Sequence, residues 1–177
     1  MPVATISVLK SDPLKFLKAF PIKIQYNSKD SKLIEQYYYG QKAGVLYFNN
    51  GFPNVDDPGS AEVTKAHGLV AKKGGPHFYE LSGEADVMLT TQLSGCCVVL
   101  DDSGATPKIA HVQPDSGSDG VTLQQSLSGS GYKLYGKADY HDNYAYVLGV
   151  KTDGWRFYTQ KRLNDERKIS IAKEIFV

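Results

Sequence analysis

The chain has 177 residues and a formal net charge of +1 at pH 7. This length is typical of one domain with a sizeable core, so we expect residues 1–177 to form a single domain. The near-neutral charge excludes a global electrostatic attraction to nucleic acid, and no apolar run is long enough to span a bilayer. We therefore expect a soluble monomer with neither nucleic acid nor a membrane as its partner.

The first third of the chain combines helix and strand signals. A polar cap and a proline at residues 11–13, followed by apolar residues at helical spacing, predict a short helix. Residues 30–40 allow two interpretations, a capped helix or a tyrosine-rich strand. A strand is predicted over residues 43–48, and the proline and glycine content of residues 51–60 indicates a loop.

The middle of the chain contains a predicted pair of strands. Residues 85–90 are extended in character and lead into a Ser-Gly corner. The apolar residues 97–100 predict a strand, and an Asp-Asp-Ser-Gly turn signal separates it from a returning strand at residues 108–112. Antiparallel pairing of these two strands would bring Cys96 and His111 side by side.

The last third of the chain is predicted to be mostly strand. Loops rich in serine and glycine at residues 116–120 and 128–131 enclose a short segment that could be a helix or a strand. Three further strands are predicted around residues 144–151, 155–162 and 168–176, with Asp-Gly and Asn-Asp turns between them.

Cys96 and His111 are the residues that could carry chemistry. A free thiol is mostly protonated at neutral pH, and a nearby imidazole activates it by accepting its proton or by stabilising the thiolate. An activated Cys96 should be alkylated faster than Cys97 at mildly acidic pH. The other interpretation is structural, because buried cysteines are usually inert packing residues. Spacing alone leaves both interpretations open.

The residues around Cys96 resemble a known motif. Leu93-Ser94-Gly95-Cys96 is similar to the Leu-Ser-Gly-Cys signature in the catalytic domains of cytotoxic necrotizing factor and Burkholderia lethal factor, toxins that deamidate glutamine side chains of host proteins. His111 fits the position of that family's catalytic histidine. The region also resembles the chemotaxis glutamine deamidase CheD, in which a threonine precedes a Gly-Ser-Cys turn and an Ala-His-Val segment follows. Thr90 and the segment around His111 match those features.

The resemblance implies a role for each residue of the motif. The thiolate of Cys96 would attack the side-chain amide carbon of a substrate glutamine, and His111 would accept the thiol proton and later donate it to the departing ammonia. The corner at Ser94 and Gly95 would direct backbone N–H groups at the oxyanion, with glycine tolerating unusual backbone angles there. Thr90 would orient the imidazole through its hydroxyl or its carbonyl.

Several of these residues also have ordinary explanations. Thr90 equally suits an interior strand position, and Ser94-Gly95 is a common turn pair. The motif does not require Cys97, which should face the opposite side of its strand from Cys96 and pack in the core. Adjacent cysteines form a disulfide only in a strained geometry, which favours a reducing compartment such as the cytosol.

The sequence gives no indication of a cofactor or a metal. His67, His77 and His141 lack the spacing of a metal site, so we expect them to be surface or core residues. The Gly74-Gly75 pair lacks the Lys-Ser/Thr ending of a phosphate-binding loop.

Together these observations predict an α+β fold with central β-sandwich-like sheets and peripheral helices and loops, as the resemblance to necrotizing factor catalytic domains implies. The expected function is a protein-glutamine deamidase that yields glutamate and ammonia, in a bacterial effector or toxin acting on a host protein. Such a protein would be secreted or translocated into the host cytosol without a conventional signal peptide. The alternatives are a CheD-like receptor deamidase or a transglutaminase, and a non-catalytic β-rich binding module in which Cys96 packs.

Overall fold

The structure is a computed structural model that describes residues 5–177, without the side chains of Leu33 and Ile34. The prediction that the N-terminal segment is not a conventional signal peptide falls partly on residues 1–4, which lie outside the described residues. The chain is a mixed α+β protein in which strands predominate. Its elements in chain order are α1 (Ile6–Ser11), α2 (Pro13–Ala19), β1 (Ile22–Gln25), β2 (Lys32–Lys42), β3 (Val45–Asn50), a 3-10 turn (Pro58–Ser60), β4 (Glu62–Leu69), β5 (Ala71–Lys72), β6 (Tyr79–Glu80), β7 (Val87–Thr90), β8 (Cys97–Asp101), β9 (Lys108–Val112), α3 (Gly120–Leu127), β10 (Lys133–Tyr135), α4 (Lys137–Tyr140), β11 (Tyr144–Lys151), β12 (Trp155–Arg162) and β13 (Ile169–Ile175).

Local signals account for two of the helices. The side chain of Asp12 accepts a hydrogen bond from the backbone N–H of Lys15 at 3.1 Å, and Pro13 occupies the first turn of α2, as predicted. The undecided segment after residue 116 is the helix α3, whose N-cap Asp119 accepts from the N–H of Thr122 at 2.7 Å. Helix α1, capped by Thr5, was not predicted.

The tyrosine-rich segment is the strand β2. Tyr37 and Tyr39 are almost fully buried, whereas the residue between them is only partly buried. This alternation is the pattern of a strand with one face against a core. The strands predicted at residues 43–48, in the middle of the chain and in its last third are confirmed as β3, β7 to β9 and β11 to β13.

The strands form two sheets. The larger has the order β1-β3-β2-β4-β7-β11-β12-β13, and the smaller has the order β10-β8-β9-β5, with β6 also paired to β9. The chain passes from the larger to the smaller sheet between β4 and β5, with only Val70 separating the two strands. The ends of β4, β5 and β7 therefore lie where the two sheets meet.

Three apolar clusters divide the interior. One packs the helices α1 and α2 against the larger sheet, and a second contains side chains from both sheets, including Met88 and Val147 of the larger and Val98 and Ile109 of the smaller. The third joins the smaller sheet to Leu123 and other residues of α3. The second cluster, which we call the inter-sheet core, contains Cys96.

Gln160 on β12 provides a test of how α2 is attached to the larger sheet. Its buried amide donates to the carbonyls of Leu17 at 2.8 Å and Phe20 at 2.7 Å, and its oxygen accepts from the N–H of Ile22 at 2.9 Å. We expect Gln160→Leu to lower the free energy of unfolding in urea by about 3 kcal/mol, because three backbone groups lose their partners. Gln36→Leu, at an exposed position of β2, should change it by less than about 0.5 kcal/mol. Equal effects of the two substitutions would contradict this account.

Candidate active site

Cys96 lies immediately before β8, and its side chain belongs to the inter-sheet core. In the pairing of β8 with β9, Val98 stands opposite His111. Residues two apart along a strand project to the same face, so Cys96 and His111 share a face as diagonal neighbours. Diagonal neighbours on adjacent strands lie about 7–8 Å apart, with their Cβ atoms somewhat closer. The structure therefore places the two residues on one strand face as diagonal neighbours, where the sequence predicted a side-by-side pair, and Nε2 of His111 has no hydrogen-bond partner among the described residues.

Cys97 faces the other way. It belongs to the cluster between the smaller sheet and α3, and it is fully buried there. Burial raises the pKa of its thiol to about 12. Cys97 is therefore separated from His111 by its own strand and acts as a packing residue, as alternation along the strand predicted.

Thr90 contacts His111 across the gap between the two sheets. Its Oγ1 lies 2.6 Å from Nδ1 of His111 and 2.9 Å from the carbonyl oxygen of Leu69, to which it donates. A hydroxyl has one proton, and here the Leu69 carbonyl receives it. Both contacts are hydrogen bonds only when Nδ1 of His111 carries a proton and donates it to Thr90. The same neutral ring then has an unprotonated Nε2.

The free nitrogen of His111 is unprotonated, but its lowered pKa makes it a weak base. The ring is 2% exposed, and its Nε2 is buried with no hydrogen-bond partner among the described residues. Burial lowers the pKa of His111 to about 4, so the ring is neutral at pH 7. A neutral imidazole with Nε2 unprotonated can accept a proton on the face that it shares with Cys96.

Electrostatics at Cys96 favour a neutral thiol in the resting protein. The residue is 9% exposed, and burial raises the pKa of its thiol, while backbone hydrogen bonds from Gly95 and Ser94 lower it to a smaller extent. With His111 neutral as well, the resting pair is a thiol and an imidazole. A raised pKa opposes the prediction that Cys96 is alkylated rapidly at mildly acidic pH. Reaction is instead expected at neutral and alkaline pH.

The corner before Cys96 is attached to the larger sheet. Leu93 exchanges two backbone hydrogen bonds with Ala145 of β11, at 2.8 and 3.0 Å. Gly95 does not have a positive φ, and a Cβ placed on it would meet only Pro114, at 3.8 Å. Gly95 therefore has no left-handed backbone conformation for which glycine would be required.

Two of the other histidines have polar contacts of their own. Nδ1 of His67 is 3.4 Å from the hydroxyl of Tyr79, and Nε2 of His77 is 3.0 Å from the carbonyl oxygen of Lys73. Among residues 5–177, no group of three or more His, Cys, Asp or Glu side chains could hold a metal ion. In the same part of the chain, no helix is both long and apolar enough to cross a bilayer.

Two groups next to the candidate pair were not predicted. The Leu69 carbonyl accepts the hydrogen bond that determines the proton position on His111, and a backbone carbonyl leaves no signal in a sequence. The hydroxyl of Tyr140 donates to the carbonyl oxygen of Cys96 at 2.8 Å. Tyr140 is one of 12 tyrosines in the chain, so its residue type alone could not single it out.

Comparisons with known proteins assign no family. No protein-family model matches the chain. A search of curated proteins also finds no significant match. Function is therefore inferred from the geometry around Thr90, Cys96 and His111 together with the resemblance of the local motif.

Alkylation separates the two cysteines. In the Cys97→Ala protein, we expect iodoacetamide to modify Cys96 at a rate that rises from neutral to alkaline pH, because only the thiolate reacts and its pKa is raised. In the Cys96→Ala protein, the buried Cys97 should react at least about tenfold more slowly at the same pH. Mass spectrometry of timed samples measures both rates, and equal rates would show that Cys96 is not distinguished by its site.

Proposed function

We propose that this chain is a protein-glutamine deamidase that uses a cysteine and a histidine. The observation that carries the proposal is the Thr90–His111 hydrogen bond of 2.6 Å, since the Leu69 carbonyl leaves Nε2 of the imidazole as the free base. That base lies on the same strand face as Cys96. A thiol, a neutral base and a group that orients the base are the parts that thiol-dependent acyl transfer requires.

The first half of the reaction forms a thioester. Sγ of Cys96 bonds to the side-chain amide carbon of the glutamine while Nε2 of His111 takes the thiol proton. The carbonyl oxygen becomes an oxyanion, for which the backbone N–H groups of the Ser94–Cys96 corner are the proposed donors. The intermediate collapses when the carbon–nitrogen bond breaks and His111 returns the proton to the leaving ammonia.

The second half releases glutamate. Nε2 of His111 takes a proton from a water molecule, whose oxygen attacks the thioester carbon. When this second intermediate collapses, the bond to Sγ breaks and the proton returns to Cys96, which restores the neutral pair. If an amine replaced water, the same intermediate would give transglutamination, so the two activities differ only in the nucleophile.

The choice of substrate rests on the motif. Leu93 to Cys96 is similar to the signature of toxins that deamidate host proteins, and the mixed α+β architecture with two sheets is compatible with a fold like that of necrotizing factor catalytic domains. We accordingly propose a bacterial effector or toxin that reaches the host cytosol and acts on a glutamine of a host protein. A CheD-like receptor deamidase would use the same chemistry on a different target.

One observation favours a non-catalytic alternative. Cys96 is 9% exposed and belongs to an apolar cluster, as a packing cysteine would. A structural cysteine, however, needs no base, whereas Nε2 of His111, like that of His67, is a buried polar atom without a hydrogen-bond partner among the described residues. The two functions are separated by whether the protein converts glutamine to glutamate at all.

Deamidation provides the direct test. Host-cell lysate proteins incubated with the protein should acquire glutamate in place of specific glutamines, which mass spectrometry detects. Cys96→Ser and His111→Ala should each lower the rate by several orders of magnitude while the proteins still melt cooperatively, because nucleophile and base act as a unit. Cys97→Ala is the matched control and should keep near-normal activity. Activity retained by Cys96→Ser, or lost equally in Cys97→Ala, would refute the assignment.

The role of the Thr90 hydroxyl has its own test. Thr90→Val preserves the side-chain shape but removes the hydrogen bonds to Leu69 and His111, so we expect about a tenfold lower kcat. Thr159→Val is a matched control, because Thr159 is equally buried and donates to the carbonyl of Tyr146. It should destabilise the protein similarly and leave kcat unchanged. Equal kcat in the two variants would show that the hydroxyl does not orient the base.

A further inference from the structure

We propose that Tyr140 and Lys137 are positioning residues that hold the Ser94–Cys96 corner by its carbonyl groups, so that the N–H groups of Gly95 and Cys96 face away from α3 and α4. The corner then forms an anion pocket before any substrate arrives. This inference rests on the proposed function in one respect, since it makes the same pocket the site of the oxyanion.

The carbonyl side of the corner is held by hydrogen bonds at two of its three residues. The Lys137 ammonium donates to the carbonyl oxygen of Ser94 at 3.1 Å, and the Tyr140 hydroxyl donates to that of Cys96 at 2.8 Å. The carbonyl oxygen of Gly95 faces Gly120, where an added Cβ would lie 2.5 Å from it. All three carbonyl groups are therefore directed at α3 and α4.

Peptide geometry determines where the N–H groups point. In a planar trans peptide the C=O and the N–H point in opposite directions. With the carbonyls of Ser94 and Gly95 directed at the helices, the N–H groups of Gly95 and Cys96 point away from them. Backbone hydrogen bonds from Gly95 and Ser94 lower the pKa of the Cys96 thiol, against the larger effect of burial. The Tyr140 bond fixes the following peptide, whose N–H belongs to Cys97.

Helix α4 is itself held in a fixed position. Asp139 Oδ2 accepts from the N–H of Gly136 and from the side-chain amide of Gln124, both at 2.8 Å. The oxygen of the same Gln124 amide accepts from the N–H of Ala138 at 2.9 Å. These bonds tie α4 to α3, so Tyr140 reaches the corner from a rigid support.

Tyr140 is suited to this task over the whole pH range of an assay. It is fully buried, and burial raises the pKa of its hydroxyl well above the usual range, so the hydroxyl stays a donor. The titratable side chains around the corner are His111 from β9, the adjacent Cys97, and Lys137, Asp139 and Tyr140 from α4. Removing Cys97 by substitution leaves Cys96 as the only thiol that titrates.

The test measures the pH profile of Cys96 alkylation in the Cys97→Ala protein. Tyr140→Phe should move the profile to higher pH and slow alkylation at pH 7 at least about threefold, because the corner that carries the thiol is no longer held in place. Tyr135→Phe is the matched control, since Tyr135 is buried in the same core with its ring 6.0 Å from that of Tyr140. It should leave the profile unchanged. Identical profiles for the two variants would overturn the proposal.

A second pair of variants covers the case in which Tyr140→Phe does not fold. Gly120→Ala places a Cβ against the Gly95 carbonyl and should displace the corner, with the same shift in the alkylation profile. Gly104→Ala is its control, because a Cβ there meets only the carbonyl oxygen of Thr106, at 3.8 Å. A profile for Gly120→Ala equal to that of Gly104→Ala would also overturn the proposal.

Deamidation separates this inference from the proposed function. In the protein that retains Cys97, Tyr140→Phe should lower kcat about tenfold or more with little change in KM, as expected when oxyanion donors are misplaced. Lys137→Met should lower it to a smaller extent, and Lys137→Arg should restore it. A shifted alkylation profile in a protein that never deamidates glutamine would support the positioning role and refute the function. Normal kcat for Tyr140→Phe would refute the positioning role alone.

Discussion

The hydrogen bonds of the Thr90 hydroxyl join the two sheets at the place where the candidate chemistry lies. The hydroxyl donates to the Leu69 carbonyl at the end of β4 and accepts from His111 on β9, so one proton determines which nitrogen of a buried ring is a base. Without this contact, both nitrogens of the His111 ring would lack a hydrogen-bond partner in an apolar interior. The orientation of the ring, its tautomer and its relation to Cys96 all depend on how β4, β7 and β9 meet.

Burial acts on both members of the candidate pair in the same direction. It raises the pKa of the Cys96 thiol and lowers that of His111, so each group is neutral and proton transfer must accompany attack on a substrate. An apolar environment opposes the charges that form during such a step. We propose that the N–H groups of the corner from Ser94 to Cys96 stabilise these charges. Because the inter-sheet core is apolar, this stabilisation depends on how firmly the corner is positioned.

The parts of the site come from segments that are far apart in the chain. Leu69 and Thr90 belong to the larger sheet, His111 to the smaller sheet, and Tyr140 to a short helix at the side of the smaller sheet. Each is placed by its own element: strand pairing sets the first three, and the hydrogen bonds between α3 and α4 set Tyr140. The corner that carries Cys96 is in turn attached to β11. A change in any of these contacts should therefore alter the reactivity of the Cys96 thiol while the apolar core stays packed.

The sequence by itself determined the features that depend on neighbours along the chain. The cap and proline of α2, the hairpin of β8 and β9 and the three terminal strands follow from local propensity and turn chemistry, and strand alternation was enough to separate Cys96 from Cys97. Only the tertiary structure decided that residues 32–42 form a strand, because the burial of alternate tyrosines is a property of the packed sheet. It likewise decided the proton position on His111 and both pKa directions, because these depend on a backbone carbonyl and on burial that arise only when the two sheets pack together.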